Sequence, residues 1–280
     1  MQTDGLGRDF AAVGQGEREH DMDLHLKDKV VIVTGGTKGI GEGIVRSMAA
    51  EGAIVLMVNR AGDEGPSIEA ALTAQGWNVV YLEAELTEAP ECRRVVDTAL
   101  DRFGHIDVIV NNAGFNSQID LRSEPEVFMR GVSDNLIHYY ALVHYAHDSL
   151  VEHGGNVVNI GSHVSITGQG RTSAYVAAKG AIDGLTREWA AYFADKGVRV
   201  NCLVPGSVWT NSYVRWAAQF PDPDERRKMA ERNIPLGRRM TTIEEFADMV
   251  VFVASARASH LTGQIIVNDG GYCHLDRVLT

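Results

Sequence analysis

The segment from Lys29 to Gly41 constrains this chain more than any other. Lys-Val-Val-Ile-Val-Thr (29–34) is a continuous β-branched run. That pattern suits a strand buried on both faces of a parallel sheet. Thr34-Gly35-Gly36-Thr37-Lys38-Gly39-Ile40-Gly41 follows, and a helical pattern then continues to about Glu51. Gly35, Gly39 and Gly41 give the spacing G-x-x-x-G-x-G. Glycines so placed allow a tight turn and a close approach of the backbone to a pyrophosphate. The helix N-terminus adds free N–H groups and a positive dipole end. Between a strand and a helix, such a turn points to a dinucleotide. It is neither a Walker A loop nor the G-x-G-x-x-G spacing.

The alternation repeats along the chain. Apolar runs at 53–58, 79–84, 106–110, 155–160, 197–203 and 264–268 alternate with helical patterns. This predicts βαβ units with right-handed crossovers. No linker, repeat or composition break follows residue 22, so 22–280 reads as one α/β domain. Residues 1–21 are polar and glycine-rich without a sustained apolar period, and read as a mobile extension. Residues 211–238 interrupt the alternation. There Tyr213, Trp216 and Phe220 share one helical face, which either packs on the core or forms an aromatic platform in a substrate lid around 207–238. The tail Tyr272–Thr280 has no assignable partner.

Charge and cysteine usage exclude several classes. With 26 Lys and Arg against 37 Asp and Glu, the net charge of −11 argues against nucleic acid or an anionic membrane as partner. The three cysteines are far apart and form no CxxC, which fits a reducing, cytoplasmic setting. No apolar run approaches the roughly 20 residues of a membrane span. His144 and His147 lack a third ligand of matching spacing, so no metal is expected.

In open α/β sheets, ligands bind at the C-terminal ends of the strands. The second strand ends at Asn59-Arg60, where an acid would hold the adenosine ribose and a cation would accommodate a 2′-phosphate. Asn59 is neutral, and Arg60 and Lys38 are cationic. NADP(H) is therefore favoured, with NAD(H) possible. Beyond the third strand, Glu85 either accepts from the adenine amino group or is a plain surface carboxylate. Asn111-Asn112-Ala113-Gly114 ends the fourth strand with residues that permit close contact with a flat cofactor. Ser162 follows the fifth strand, and Tyr175 and Lys179 stand four apart on one face of the next helix. An adjacent ammonium favours the phenolate, so Lys179 is expected to lower the Tyr175 pKa. These three groups read either as a proton-transfer site or as a surface Tyr–Lys pair.

Thr34-Gly-x-x-x-Gly-Ile-Gly41, Asn111-Asn-Ala-Gly114, Asn135, Ser162, Tyr175-x-x-x-Lys179, Asn201 and Pro205-Gly206 together resemble the short-chain dehydrogenase/reductase family over residues 22–280. The resemblance implies a Rossmann-type doubly wound, seven-stranded parallel sheet with helices on both faces. It implies NAD(P)-dependent hydride transfer between nicotinamide and a secondary alcohol or carbonyl, in a homotetramer or homodimer. It carries over the catalytic set Asn135, Ser162, Tyr175 and Lys179, with Asn135 anchoring a water that leads protons from Lys179. Expected cofactor contacts are Gly35, Thr37, Lys38, Gly39, Ile40, Gly41, Asn59, Arg60, Glu85, Leu86, Asn112, Ala113, Gly114, Tyr175, Lys179, Pro205, Gly206, Val208 and Thr210.

A narrower pattern is similar to bacterial L-fucose dehydrogenases. It comprises Asn135-Leu-Ile-His-Tyr-Tyr140, Thr167-Gly-Gln-Gly170, Leu185-Thr-Arg-Glu-Trp-Ala190, Pro235-Leu-Gly-Arg-Arg239, Arg257-Ala-Ser-His260 and Gly271-Tyr-x-His-Leu-Asp-Arg277. That resemblance implies oxidation of an aldose at C1 to the lactone. The loop Pro205-Gly206-Ser207 departs from this branch, which lacks the glycine. Asn116, His163 and Gln169 are the candidate substrate contacts. Competing functions are reduction of another carbonyl, such as a 3-oxoacyl thioester or ketone, and a non-catalytic dinucleotide-binding sensor.

Overall fold

In the computed structural model, residues 22–62 and 64–275 are described. The expected extension at 1–21 lies outside them. Seven strands form one sheet: β1 (Val30–Thr34), β2 (Ile54–Asn59), β3 (Val79–Glu83), β4 (Val108–Asn111), β5 (Asn156–Ile160), β6 (Arg199–Pro205) and β7 (Ile265–Asn268). Their order is β3-β2-β1-β4-β5-β6-β7, and every pairing is parallel. The chain runs outward from β1 to β3, then returns to place β4 on the other side of β1. That reversal opens a crevice at the C-terminal ends of β1 and β4, where dinucleotides bind in this architecture.

The strands are apolar throughout because both faces are covered. Ile32 packs with Leu56, Ile109, Tyr139 and Phe193 on one face. Its neighbours Val31 and Val33 point the other way, to Val45, Met48, Phe246 and Val250. This is the two-residue period of a strand, with a helical layer on each side. Helices α1 (Gly39–Ala50), α2 (Glu64–Thr73) and α3 (Ala89–Phe103) connect the first strands. The stretch between β4 and β5 carries two helices, α4 (Pro125–Tyr145) and α5 (His147–His153). The wholly buried Ala146 stands between them with φ −87° and ψ 0°, outside helical geometry.

A short α6 (Val164–Thr167) precedes α7 (Ser173–Phe193), which carries Tyr175 and Lys179. The interruption after β6 folds into α8 (Asn211–Ala217) and α9 (Pro223–Glu231) before α10 (Ile243–Ala254). Thr242 caps α10. Its hydroxyl accepts from the Glu245 N–H, and the Glu245 carboxylate accepts from the Thr242 N–H. The tail also has a partner: Tyr272 meets the His163 ring edge-on at 5.5 Å between centroids. Asp269 fixes that turn by accepting from the N–H groups of Gly271 and Cys273 at 2.8 and 2.7 Å.

Candidate active site

The glycine turn sits directly beyond β1, and its shape needs the glycines. Gly35 and Gly39 adopt φ of +65° and +57°, a region glycine enters without steric cost. A Cβ on Gly41 would collide with the Gly35 carbonyl and lie 2.6 Å from Asn112 Nδ2. The turn is stitched to the end of β4. Thr34 Oγ1 accepts from the N–H groups of Asn112 and Ala113 at 2.9 and 3.0 Å, and Asn112 Nδ2 donates to the Thr34 carbonyl at 2.8 Å. Helix α1 starts at Gly39 with no side chain capping it. Its first-turn N–H groups are therefore left for an anion.

A groove of about 520 Å³ runs along this edge. Sixteen of the expected cofactor contacts line it: Gly35, Lys38, Gly39, Ile40, Gly41, Asn59, Arg60, Glu85, Leu86, Asn112, Ala113, Gly114, Tyr175, Lys179, Pro205 and Thr210. The tight turn, open helix end and flat Asn112–Gly114 wall fit a dinucleotide. Three expected contacts stand behind the groove. Thr37 is buried and accepts from Asn59 Nδ2 at 2.6 Å, so it holds Asn59. Val208 is buried and bridges to Thr241. Gly206 backs onto Asp269, which would lie 2.6 Å from a Cβ there. The groove also gains Thr87, Phe115, Asp134, His138, Asn211, Ser212 and Arg215. Thr87, Phe115 and Asn211 adjoin expected contacts, whereas Asp134, His138, Ser212 and Arg215 come in only through folding.

The Tyr175 phenol hydrogen-bonds with Ser162, whose side chain is buried. Burial pushes the phenol above its ordinary pKa, and the Ser162 bond opposes that rise. The expected lowering by Lys179 does not appear. Lys179 Nζ lies 5.7 Å from the Tyr175 ring centre and donates instead to the Ile160 carbonyl at 2.7 Å and the Tyr139 hydroxyl at 3.0 Å. Burial brings the ammonium down to about 8.

The Asn135 amide is committed to the backbone: Oδ1 accepts from the Phe115 N–H at 2.8 Å, and Nδ2 donates to the Gly131 carbonyl at 3.0 Å. It locks the wall of the groove onto α4. His138 Nε2 faces the Ala113 carbonyl at 3.0 Å. A carbonyl requires a donor, so the proton is on Nε2. Burial lowers this imidazole to about 4 and keeps it neutral.

None of the expected substrate contacts Asn116, His163 and Gln169 lines the groove. Asn116 Nδ2 donates to Gln169 Oε1 at 3.3 Å, which joins two of the expected substrate contacts. His163 lies under Tyr272, and burial lowers its pKa. The Tyr213 hydroxyl donates to Ser207 Oγ at 2.9 Å and acts electrostatically on Tyr175. Of the two readings of the aromatic face, core packing is not the outcome: Tyr213, Trp216 and Phe220 are half-buried and contact one another edge-on at 5.8 and 5.3 Å. The Arg226 guanidinium stacks on the last two at 4.8 and 4.4 Å. Among the described residues, no group of His, Cys, Asp and Glu is placed to hold a metal, and no helix is long and apolar enough to cross a membrane.

Comparison with known proteins extends over nearly the whole chain. The family model described as enoyl-(acyl carrier protein) reductase matches residues 35–273. L-fucose dehydrogenase of Bos taurus is 38% identical over 252 residues, 89% of this chain and 91% of the relative. A 3-oxoacyl-[acyl-carrier-protein] reductase of Chlamydia pneumoniae is 32% identical over 258 residues, 89% of this chain and 99% of the relative. Among solved structures, Cj0485 dehydrogenase superposes with a TM-score of 0.88 at 41% identity, covering 92% of this chain and 99% of its own.

Proposed function

The chain belongs to the short-chain dehydrogenase/reductase family and is an NAD(P)-dependent oxidoreductase, and on that premise we propose that it oxidises an aldose of the L-fucose type at C1 to the lactone. The observation that carries this reading is the 38% identity to an L-fucose dehydrogenase across nine-tenths of both chains. The polar pairs Asn116–Gln169 and Tyr213–Ser207 support it, because a sugar offers several hydroxyls to satisfy and a hydrocarbon offers none.

Tyr175, as phenolate, removes the proton from the C1 hydroxyl. Ser162 bonds the same oxygen and holds the phenol in place. An anomeric hydroxyl is more acidic than an ordinary alcohol, which suits a base whose pKa burial has raised. A nicotinamide held in the groove would supply the acceptor for the hydride that leaves C1. Lys179 supplies positive charge beneath Tyr175 and is fixed there by Ile160 and Tyr139. Asn135 positions the groove wall through Phe115. Lys38 and Arg60 favour NADP(H), since no acid stands at Asn59 to repel a 2′-phosphate. Residues 207–238 act as the substrate lid.

A panel of L-fucose, D-arabinose and L-galactose with NADP and NAD, followed by absorbance of the reduced nicotinamide, tests this reading. Turnover of one or more aldoses is the expected result. Turnover confined to acyl thioesters would replace it with the reductase reading, which the likeness to the Chlamydia protein supports. Cofactor binding without turnover of any substrate would leave a dinucleotide sensor.

A further inference from the structure

Helix α8 presents two different faces to two different ligands. Asn211, Ser212 and Arg215 fall at i, i+1 and i+4 and line the dinucleotide groove. Tyr213, two residues before Arg215 and so on the opposite side of the helix from it, bonds Ser207. Thr210, just before the helix, stands against the glycine turn: a Cβ on Gly39 would be 3.5 Å from Thr210 Cγ2. The lid thus begins beside the turn shaped for the pyrophosphate, and Arg215 follows one helical turn later.

Arg215 differs from the arginines around it. Arg227 pairs with Glu231 and stacks on Trp209, Arg226 stacks on Trp216 and Phe220, and Arg239 pairs with Glu245. In the groove itself, Lys38 is paired with Glu64 and Arg60 lies over Phe115. Arg215 forms no ion pair among the described residues, and its one hydrogen bond is Nη2 to the Ser212 hydroxyl at 3.2 Å. An exposed guanidinium with only a neutral neighbour remains able to accept a bidentate phosphate partner.

We propose that Arg215 is a cofactor-binding residue that grips the diphosphate bridge of the dinucleotide from the lid, and thereby couples closure over the substrate to the presence of the cofactor. The proposal rests on the dinucleotide reading of the groove. The glycine turn and the open end of α1 hold the bridge from below, and Arg215 covers it from above. Because the same short helix carries Tyr213, fixing one face of α8 fixes the other. Only a ligand that contacts the closed lid shifts the lid toward closure. The dinucleotide therefore prepares the substrate side before the substrate arrives.

The test is titration calorimetry of the full chain with NADP+, NAD+ and adenosine 2′-monophosphate, comparing the unaltered protein with Arg215→Ala and Arg215→Lys. The 2′-monophosphate keeps the adenosine and the 2′-phosphate but lacks the bridge. Arg215→Ala is expected to weaken both dinucleotides about tenfold, with their ratio unchanged and the 2′-monophosphate unaffected. Lysine should restore part of the loss, because it keeps the charge without the fork. Dinucleotide affinity unchanged in Arg215→Ala would overturn the proposal, and so would a loss extending to the 2′-monophosphate. Failure of the unaltered protein to bind either dinucleotide would instead sink the groove reading itself.

A second readout is chymotrypsin cleavage after Trp216 and Phe220. NADP+ at saturation should slow it in the unaltered protein and not in Arg215→Ala. Equal protection of the two would remove the coupling to the lid.

Discussion

Lys179 lines the groove and donates at 3.0 Å to the hydroxyl of Tyr139, which does not line it. Both side chains are buried, and the Tyr139 hydroxyl donates in turn to the Ile160 carbonyl at 3.0 Å. The sheet edge, Tyr139 and Lys179 therefore form one fixed unit. The charged lysine is held in place but is costly to bury, and its pKa falls to about 8 from 10.5.

That cost sets a pH-dependent stability. Below about pH 8 the folded protein carries the buried charge in full. Between about 8 and 10.5 the unfolded lysine keeps its proton while the folded one releases it, so native stability rises with pH across that window. The displacement corresponds to on the order of 3 kcal/mol. Lys179→Met is predicted to abolish turnover. Chemical denaturation should show the unaltered protein gaining on this variant as pH rises from 8 to 10. A constant difference between the two would refute the account.

Tyr175 is governed by burial, which raises its pKa, and by the Ser162 bond, which lowers it. Ser162→Ala removes the opposing influence. The acid limb of kcat/KM for alcohol oxidation should then move to higher pH. Tyr175→Phe is predicted to lose roughly 10²–10⁴ in kcat with dinucleotide affinity retained. Near-normal turnover by that variant would remove the tyrosine from the mechanism.

The adenosine end is predicted to discriminate cofactors through cations already partly engaged. Lys38 Nζ sits 3.5 Å from a Glu64 carboxylate oxygen in an exposed pair. A 2′-phosphate must compete with that carboxylate. Replacing both Lys38 and Arg60 by alanine should lower the NADP/NAD ratio of kcat/KM by about tenfold or more. Glu64→Gln should raise the ratio only a few-fold, since exposed pairs are weak. Unchanged ratios in both variants would exclude a phosphate role for these cations.

The fold was legible because parallel strands covered on both faces announce themselves as apolar runs, and Gly35, Gly39 and Gly41 mark the one turn that a phosphate must approach. The lining that the sequence missed comes from side chains with no periodic signature. Arg215 and Ser212 enter the groove only because α8 folds back over it. Tyr139 looks like any core aromatic until its hydroxyl is seen against Lys179. The pKa argument for Tyr175 went wrong for a related reason. Helical spacing places Lys179 on the same face, but Ile160 and Tyr139 draw its ammonium away, and desolvation then decides the direction. Thr37 stands behind the groove, where its hydroxyl accepts from Asn59.

Tyr213 is where the lid should read the substrate. Its hydroxyl donates to Ser207 Oγ at 2.9 Å beside Tyr175, and the ring is braced edge-on by Trp216. The phenyl ring of Tyr213→Phe keeps that bracing and removes only the oxygen. If Tyr213 and Ser207 together bond a sugar hydroxyl, KM for the aldose should rise by roughly tenfold, because the partner hydroxyl in the closed site loses its acceptor. The dinucleotide affinity should not change, since Tyr213 faces away from the groove that Arg215 lines. A rise in the dinucleotide dissociation constant of the same size would show that the substitution had disturbed α8 as a whole. An unchanged KM would place substrate recognition on the Asn116–Gln169 side of the mouth instead.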